Sequence, residues 1–206
     1  NWGTLKVGES LSSFGGYEWL GIYDSGDQIG RSKIGTEKKI LGKGLPDWTG
    51  SFINNFRYKN FDLTMNFTGA ANVGFAYTKE AFGEFSGSAG HPSTAWLDSW
   101  TPENPNASMP RVAEARMSPS EASNVLSDFW VINTSYLRLK TLQLGYTFPK
   151  SLLEKVGVQN LRVYYSTENL LTFDSMPLNV DPETVSSRLS SYPLSTTHSF
   201  GVNITF

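Results

Sequence analysis

Ionisable side chains that could support catalysis or bind a metal are few and scattered along the chain. The two histidines, His91 and His198, lie far apart in the sequence, outside any spacing typical of zinc ligands. Glu114 and Glu121 are acids of the kind that a glycosidase pairs, but both fall in a predicted loop, where solvated charges are expected. The chain contains no cysteine, which excludes a thiolate metal site and a disulfide framework. The sequence therefore predicts no catalytic residue, no metal site and no cofactor.

Two other groups of residues are candidates for ligand binding. Tyr23 to Gly30 places two acids around a glycine, but it lacks the alternating oxygen ligands and the closing glutamate of a calcium loop, so a plain turn is favoured. Trp96, Trp100 and Tyr77 lie in a long link and could stack on sugar rings. Aromatic side chains in such a loop more often pack on the loop or on a partner. These three residues are kept as candidate ligand or partner contacts.

The composition excludes some classes of protein. The net charge is −2, from 17 basic and 19 acidic residues, so neither a nucleic-acid surface nor a polybasic membrane anchor is indicated. Aromatic residues are abundant, with 13 Phe, 9 Tyr and 6 Trp, yet no uninterrupted apolar run is long enough for a transmembrane helix. The chain begins at Asn1 without a signal sequence, which we interpret as a mature product or a piece of a longer chain.

Five segments alternate apolar and polar residues over unusual lengths. They are Trp48–Tyr58, Phe61–Gly69, Ser135–Phe148, Leu161–Phe173 and Thr196–Phe206. Soluble strands average about 5–6 residues, whereas strands that cross a bilayer need about 9–11. In the third segment the alternation changes phase near Lys140 and Thr141, which predicts a β-bulge there.

The charged residues of these segments avoid the aromatic phase. A basic residue on the lipid face of a barrel at mid-bilayer costs about 2–4 kcal/mol. All the charges in the first four segments fall on the less apolar phase: Arg57, Asp62, Arg138, Lys140, Arg162 and Glu168. A β-sandwich also keeps charge off its buried face, so this pattern alone fits both folds.

The links between the segments alternate in length. The link at Lys59-Asn60 is minimal, residues 70–134 form a very long link, residues 149–160 a short one and residues 174–195 a long one. Barrels of the outer membrane have short periplasmic turns and long extracellular loops, so this parity favours a barrel with a periplasmic C-terminus. Residues 48–206 are thus predicted as barrel strands with an extracellular loop at 70–134 and a periplasmic turn at 149–160. That turn has Ser151 and Glu154 at capping-box spacing and is predicted to hold a short helix.

Several motifs carry a resemblance to a known family. Trp100 to Ala107 (WTPENPNA), Ser135 to Pro149 (SYLRLKTLQLGYTFP) and Leu161 to Phe173 (LRVYYSTENLLTF) resemble segments of SusC/RagA-like TonB-dependent outer-membrane transporters. Asn55 to Leu63 resembles the paired strands of this family, and Gly201 to Phe206 resembles its C-terminus. The resemblance covers almost the whole chain, in the right order.

The resemblance implies an all-β fold: the C-terminal strands of a large antiparallel transmembrane β-barrel with long extracellular loops. It also implies location in the bacterial outer membrane and import of glycans, peptides or other large nutrients. The implied partners are a SusD-like surface lipoprotein, the TonB complex acting through a plug that this chain lacks, and membrane lipid. The terminal residues of such barrels form an assembly signal, here Phe200, Val202, Ile204 and Phe206.

Two alternatives remain from the residues themselves. One is a soluble β-sandwich module that binds carbohydrate through exposed aromatic side chains. The other is a β-rich glycosidase, which the lack of a credible acid pair disfavours. The first 47 residues are less regular and are predicted as an extracellular loop region with room for one strand, Gly16 to Tyr23.

Overall fold

The computed structural model describes residues 7–27, 29–76, 94–112, 126–176, 180–185, 192 and 194–206. In chain order the strands are β1 Ser13–Ile22, β2 Ser32–Lys43, β3 Trp48–Tyr58, β4 Phe61–Ala71, β5 Gly74–Ala76, β6 Val131–Asn133, β7 Tyr136–Thr147, β8 Asn160–Asp174 and β9 Thr197–Thr205. One α-helix, α1, spans Lys150–Leu153. Over these described ranges, no helix is both long and apolar enough to cross a membrane.

The chain divides into two compact units, and the larger sheet belongs to one of them. Unit 2 comprises Pro46–Asn72, Thr134–Thr184 and Tyr192–Phe206. Its five strands pair antiparallel in the order β3-β4-β7-β8-β9. All five predicted strands are present, and β3 has the predicted bounds. The sequence located these strands well because each alternates along its length, apart from the one change of phase in β7.

The predicted β-bulge in β7 is confirmed. On β4, Asn66 pairs with Thr141 and the next residue, Phe67, pairs with Leu139, so Lys140 is the extra residue. The pairing of β7 with β8 shifts at the same place. The bulge therefore keeps the apolar residues on either side of Lys140 on one face of the sheet.

The two short links of this unit have defined conformations. Lys59 adopts a left-handed backbone conformation (φ 51°) in the two-residue connection between β3 and β4. Between β7 and β8, α1 continues as a 3-10 turn, Glu154–Val156, and ends at Gly157 (φ 72°). The predicted short helix is thus present, but the capping box is wrong. Pro149 precedes the helix and no side chain caps it, because the helix begins one residue before Ser151.

Unit 1 comprises Asn1–Leu45, Val73–Asn133 and Val185–Ser191. In it β1 and β2 form an antiparallel hairpin, and β5 pairs with β6. The strand predicted from Gly16 to Tyr23 overlaps β1, whereas β2 was not predicted. Leu126 and Asp128 hold the segment before β6 against β1 through hydrogen bonds with the backbone N–H groups of Tyr17 (2.9 Å) and Trp19 (2.6 Å). The glycine- and serine-rich segment Gly83 to Gly90, which the sequence predicts as a loop, lies outside the described residues. So does all but the last residue of a short helix that the sequence predicts near Ser120 to Leu126.

Candidate functional site

One face of the five-stranded sheet is a layer of exposed apolar side chains. The pairing Leu63–Leu144–Tyr165–Phe200 is one row of this face, running across four strands. Exposed members along the strands include Trp48, Phe52, Phe56, Tyr58, Phe61, Phe173, Phe200, Val202 and Ile204. Water-soluble monomers rarely expose apolar patches larger than a few hundred Å², so a surface of this extent indicates contact with lipid or another apolar surface. A β-sandwich would bury this face beneath a second sheet.

The opposite face carries the charges, as the sequence predicts. Asp62, Gly145, Tyr164 and Gly201 form one row across β4, β7, β8 and β9. Arg162 donates to both carboxylate oxygens of Asp62, from Nε at 3.1 Å and from Nη2 at 2.5 Å. Both side chains are about three-quarters buried. Paired hydrogen bonds of this kind are among the stronger ion-pair geometries.

Two glycines make room for this row. A Cβ on Gly145 would overlap both the Arg162 guanidinium and the Asp62 carboxylate. A Cβ on Gly201 would overlap the ring of Tyr164. The guanidinium carbon of Arg162 in turn lies 5.2 Å from the centroid of the Tyr164 ring, within range of a cation–π contact. The polar face is therefore covered by side chains that lie flat across the strands.

A second charged cluster lies toward the other end of the same strands. Arg138 has no exposed side-chain surface. Its Nη2 contacts Asp181 Oδ2 at 2.6 Å, its Nη1 contacts Glu183 Oε2 at 3.0 Å, and its Nε donates to Thr172 Oγ1 at 3.0 Å. All three guanidinium nitrogens thus have partners, as a buried arginine requires. Two of these partners belong to the link after β8.

The candidate aromatic contacts are placed differently from one another. The indole ring of Trp100 packs against Gly30, in the turn between β1 and β2. The contact is so close that a Cβ on Gly30 would overlap the ring. Trp96 is partly buried in a 3-10 helix, Thr94–Asp98, and Tyr77 lies outside the described residues. The structure therefore brings Trp100 to the hairpin turn but gives no common site for the three residues. Their role as ligand contacts stays a prediction.

The loop that holds Trp100 is organised by one carboxylate. Asp98 Oδ1 accepts from Asn104 Nδ2 at 3.1 Å, and Oδ2 accepts from the backbone N–H of Ser108 at 3.0 Å. These hydrogen bonds, with Ser108 contributing most, lower the pKa of the Asp98 carboxyl from its ordinary value. The backbone also closes on itself, since Trp100 N donates to Met109 O at 2.9 Å. The motif Trp100 to Ala107 is therefore an ordered loop.

The residues predicted as an assembly signal lie on the edge strand β9 or directly after it. Phe200, Val202 and Ile204 pair with Tyr165, Val163 and Leu161 of β8. Phe200 and Phe206 are 84% and 80% exposed. The other edge of β9 has no partner strand within the described part of the chain. In lipid, an unpaired strand edge of this kind would be unstable.

Of the residues considered for catalysis, only His198 lies in the described part of the chain. His91, Glu114 and Glu121 lie outside the described residues. His198 lies on the sheet, where its Nδ1 is 2.7 Å from the Tyr165 hydroxyl. Within the described ranges, no three His, Cys, Asp or Glu residues form a group that could hold a metal ion.

Comparison with known proteins accounts for this sheet with one apolar and one charged face. No family model matches the chain. It is 32% identical over 237 aligned residues to TonB-dependent receptor P3 of Formosa agariphila, covering 98% of the chain and 23% of the receptor. The chain resembles TonB-dependent receptors of the SusC type. It is also 29% identical to TonB-dependent receptor P26 of the same organism, over 98% of the chain and 23% of that receptor. SusC of Bacteroides thetaiotaomicron is 27% identical, over 98% of the chain and 20% of SusC.

Solved structures agree on the fold. A structure of the RagAB peptide transporter matches with a TM-score of 0.74 at 22% identity, over 94% of this chain and 23% of that chain. Structures of the RagAB peptide importer in its "closed-closed" and "open-open" states match with TM-scores of 0.72 and 0.70. The fold is therefore that of antiparallel barrel strands of the TonB-dependent receptor type. The chain spans about a quarter of the length of these receptors and contains only part of the barrel.

The sequence did not reveal the cluster around Arg138. It assigned Arg138 to the polar face but gave no reason to connect it with Asp181 and Glu183, more than forty residues away. The one available signal was the spacing Asp181-Pro182-Glu183, two acids around a proline in the link after β8. Such a turn presents both carboxylates in one direction.

Proposed function

We propose that the chain is the C-terminal barrel portion of a TonB-dependent outer-membrane importer for glycans or other large nutrients. The observation that carries this proposal is the sheet with two different faces: one has exposed aromatic and aliphatic residues, and the other has Asp62, Arg138 and Arg162. We assign the first face to lipid and the second to the lumen. A barrel needs this arrangement, because its outer surface meets hydrocarbon and its interior meets water. The similarity to SusC and to the two Formosa receptors supports the TonB dependence.

The orientation follows from the links. The two short links, Lys59-Asn60 and residues 149–159, lie at one end of the sheet, where β9 also ends. The links after β4 and β8 leave from the other end and are long. If short links are periplasmic, as in bacterial barrels, the C-terminus is periplasmic and residues 70–134 are extracellular. The short helix α1 is then part of a periplasmic turn.

In this proposal the chain supplies wall strands and extracellular loops and performs no chemistry itself. A SusD-like lipoprotein and the TonB complex are the proposed partners, the latter acting through a plug outside this chain. Trp96, Trp100 and Tyr77 are proposed to contact the ligand or the lipoprotein from the extracellular side. The known relatives leave the ligand open between oligosaccharide and peptide, since RagAB is a peptide transporter. The terminal residues, Phe200 to Phe206, are proposed as the assembly signal.

Fractionation of the native protein tests this proposal. An antibody against a peptide of this chain is used to follow the protein in bacterial membrane fractions. We expect it in the outer membrane, extracted only by detergent, in a polypeptide several times larger than the 22.8 kDa of this chain. A folded species of this mass that remains soluble in buffer would contradict the proposal and would favour a soluble carbohydrate-binding module.

A further inference from the structure

The link after β8 folds back onto the charged face of the sheet. Its described part, residues 180–185, is here called the strap. Asp181 and Glu183 of the strap contact Arg138 on β7, and Glu183 also accepts a hydrogen bond from the Tyr136 hydroxyl at 2.8 Å. Arg138 is fully covered, while the two carboxylates retain 15% and 24% of their side-chain exposure. The strap therefore lies over the arginine.

The turn that presents the two carboxylates is preformed. Asp181 Oδ1 accepts from the backbone N–H of Glu183 at 2.9 Å, and Asp181 O accepts from Thr184 N at 3.2 Å. Pro182, between the two acids, restricts the backbone further. Since the turn is closed by its own hydrogen bonds, the strap can bind or release Arg138 as one piece.

The charges of the cluster balance. Lys140, the bulge residue of β7, reaches Glu183 Oε2 at 3.4 Å, so two basic and two acidic groups face each other. Arg138 and Lys140 are two residues apart on β7, so both side chains reach the polar face. If the strap left, Arg138 and Lys140 would be two uncompensated cations on the polar face. Loss of the partners of a buried charge is costly, so opening of the strap would leave a positive site in need of an anion.

The other ion pair of the polar face provides a contrast. Arg162 and Asp62 both lie on strands, so their contact cannot open without distortion of the sheet. Of the three hydrogen-bond partners of Arg138, by contrast, Thr172 lies on β8, whereas Asp181 and Glu183 lie on the link, so the two ion pairs can open without breaking the pairing of the strands. We propose that the strap is a latch on the inner wall of the barrel. Closed, it covers Arg138; open, it exposes Arg138 and Lys140 to an anionic group of a ligand in the lumen.

This inference rests on the proposed function only in naming the polar face as the lumen, and its test does not need transport. The full-length protein that carries this chain is purified in detergent, with any cysteine outside the chain replaced by serine; the chain itself has none. Nitroxide labels are attached at Thr184→Cys on the strap and Ser166→Cys on the polar face of β8. Electron–electron double resonance then measures the distance between the two labels.

We expect one narrow distance distribution in the parent protein. Asp181→Asn with Glu183→Gln, which alters only the strap, should broaden it at least twofold, and Arg138→Gln should do the same. Arg138→Lys keeps the charge but loses the forked geometry, so it should give an intermediate width. Arg162→Gln is the matched control, because it removes an equivalent pair between strands and should leave the distribution narrow.

Two results would overturn the latch. The first is a narrow distribution in the Asn/Gln double variant, which would mean that the carboxylates do not hold the strap. The second is equal broadening in the Arg162→Gln control, which would mean general loosening of the sheet. If Arg138→Gln fails to assemble, the double variant still decides the question. If the Asn/Gln double variant broadens the distribution but the protein is recovered as a soluble species, this inference is retained and the proposed function is rejected.

Discussion

Arg162 and Asp62 form a doubly hydrogen-bonded ion pair that crosses an entire strand. Asp62 lies on β4 and Arg162 on β8, and β7 runs between them. The contact passes over Gly145, the residue of β7 that pairs directly with Asp62. This ion pair thus links β4 to β8 across β7 on the polar face, and it fits there because Gly145 has no side chain.

Gly145→Ala should therefore break this pair. The new Cβ would overlap both charged groups, and these groups would lose their hydrogen bonds while remaining partly buried. We expect a loss of about 1–3 kcal/mol in the free energy of unfolding, between the values for exposed and for fully buried pairs. Denaturant titration of the full-length protein in micelles measures it. Gly50→Ala is the control, because a Cβ there meets nothing within 4 Å.

A charge on the apolar face should be far more harmful than the same charge on the polar face. Leu144 is 44% exposed and belongs to the apolar row, whereas its neighbour Gln143 belongs to the polar face. Leu144→Arg should cost at most about 2–4 kcal/mol, the cost of a charge at mid-bilayer, since Leu144 lies toward the short-turn end of β7, and it should reduce the protein in outer-membrane fractions. Gln143→Arg should leave its amount nearly unchanged. Equal amounts of both variants would argue against a lipid-facing sheet.

Removal of Phe206 should impair assembly of the barrel. Phe206 follows β9, is 80% exposed, and ends the apolar series Phe200, Val202 and Ile204. We expect a severalfold lower amount in the outer membrane, measured by immunoblot of fractions, with accumulation in the periplasm. Thr205→Ala changes the preceding residue, on the other face, and should be tolerated. Unchanged amounts after removal of Phe206 would reject the assembly-signal proposal.

The sequence predicted the elements whose signal is local. β3 was predicted to the residue because Trp48 to Tyr58 alternates without interruption, and the bulge at Lys140 followed from the change of phase. β2 was not predicted, because Lys38 and Lys39 place charges on both of its faces. On a hairpin outside the main sheet both faces can meet water, so alternation is not required there.

Contacts between distant residues could not be predicted in this way. Asp62 and Arg162 were each assigned to the polar face. That they contact each other across Gly145 depends on the register of three strands, which periodicity does not give. The strap contact with Arg138 depends in addition on the path of a link that has no periodic pattern. Periodicity gives the face of a residue, whereas the identity of its partner follows from register and from loop conformation.

The loop around Asp98 should be sensitive to acid. The pKa of the Asp98 carboxyl is lowered from its ordinary value of 3.8 by hydrogen bonds that the ionised carboxylate accepts from Ser108 and Asn104. Because the pKa of Asp98 is lower in the folded than in the unfolded state, ionised Asp98 stabilises the loop at pH values above the unfolded-state pKa. This stabilisation is lost as the pH falls through the folded-state pKa. We expect amide protection at Ser108 to be constant at neutral pH and to fall below about pH 4. Hydrogen exchange measures it, and Asp98→Asn should abolish this pH dependence.

Gly30 should be indispensable to the position of Trp100. Gly30 has a φ of 78° and lies directly beneath the indole ring, so alanine there is strained by its backbone and also overlaps the ring. Gly26 has nearly the same φ, 77°, but a Cβ there meets nothing within 4 Å, which makes Gly26→Ala the matched control. Hydrogen exchange at Arg111, whose N–H donates to Gly30 O at 2.7 Å, should rise at least tenfold more in Gly30→Ala than in the control.

The same pair of variants separates packing by Trp100 from ligand contact. If Trp100 acts by ordering the loop against the hairpin turn, Gly30→Ala should weaken oligosaccharide or peptide binding by the full-length protein as much as Trp100→Ala does. If the ring itself contacts the ligand, Trp100→Ala should weaken binding and Gly30→Ala should do so less. We expect the first result, because the indole ring of Trp100 packs against Gly30 and is partly buried.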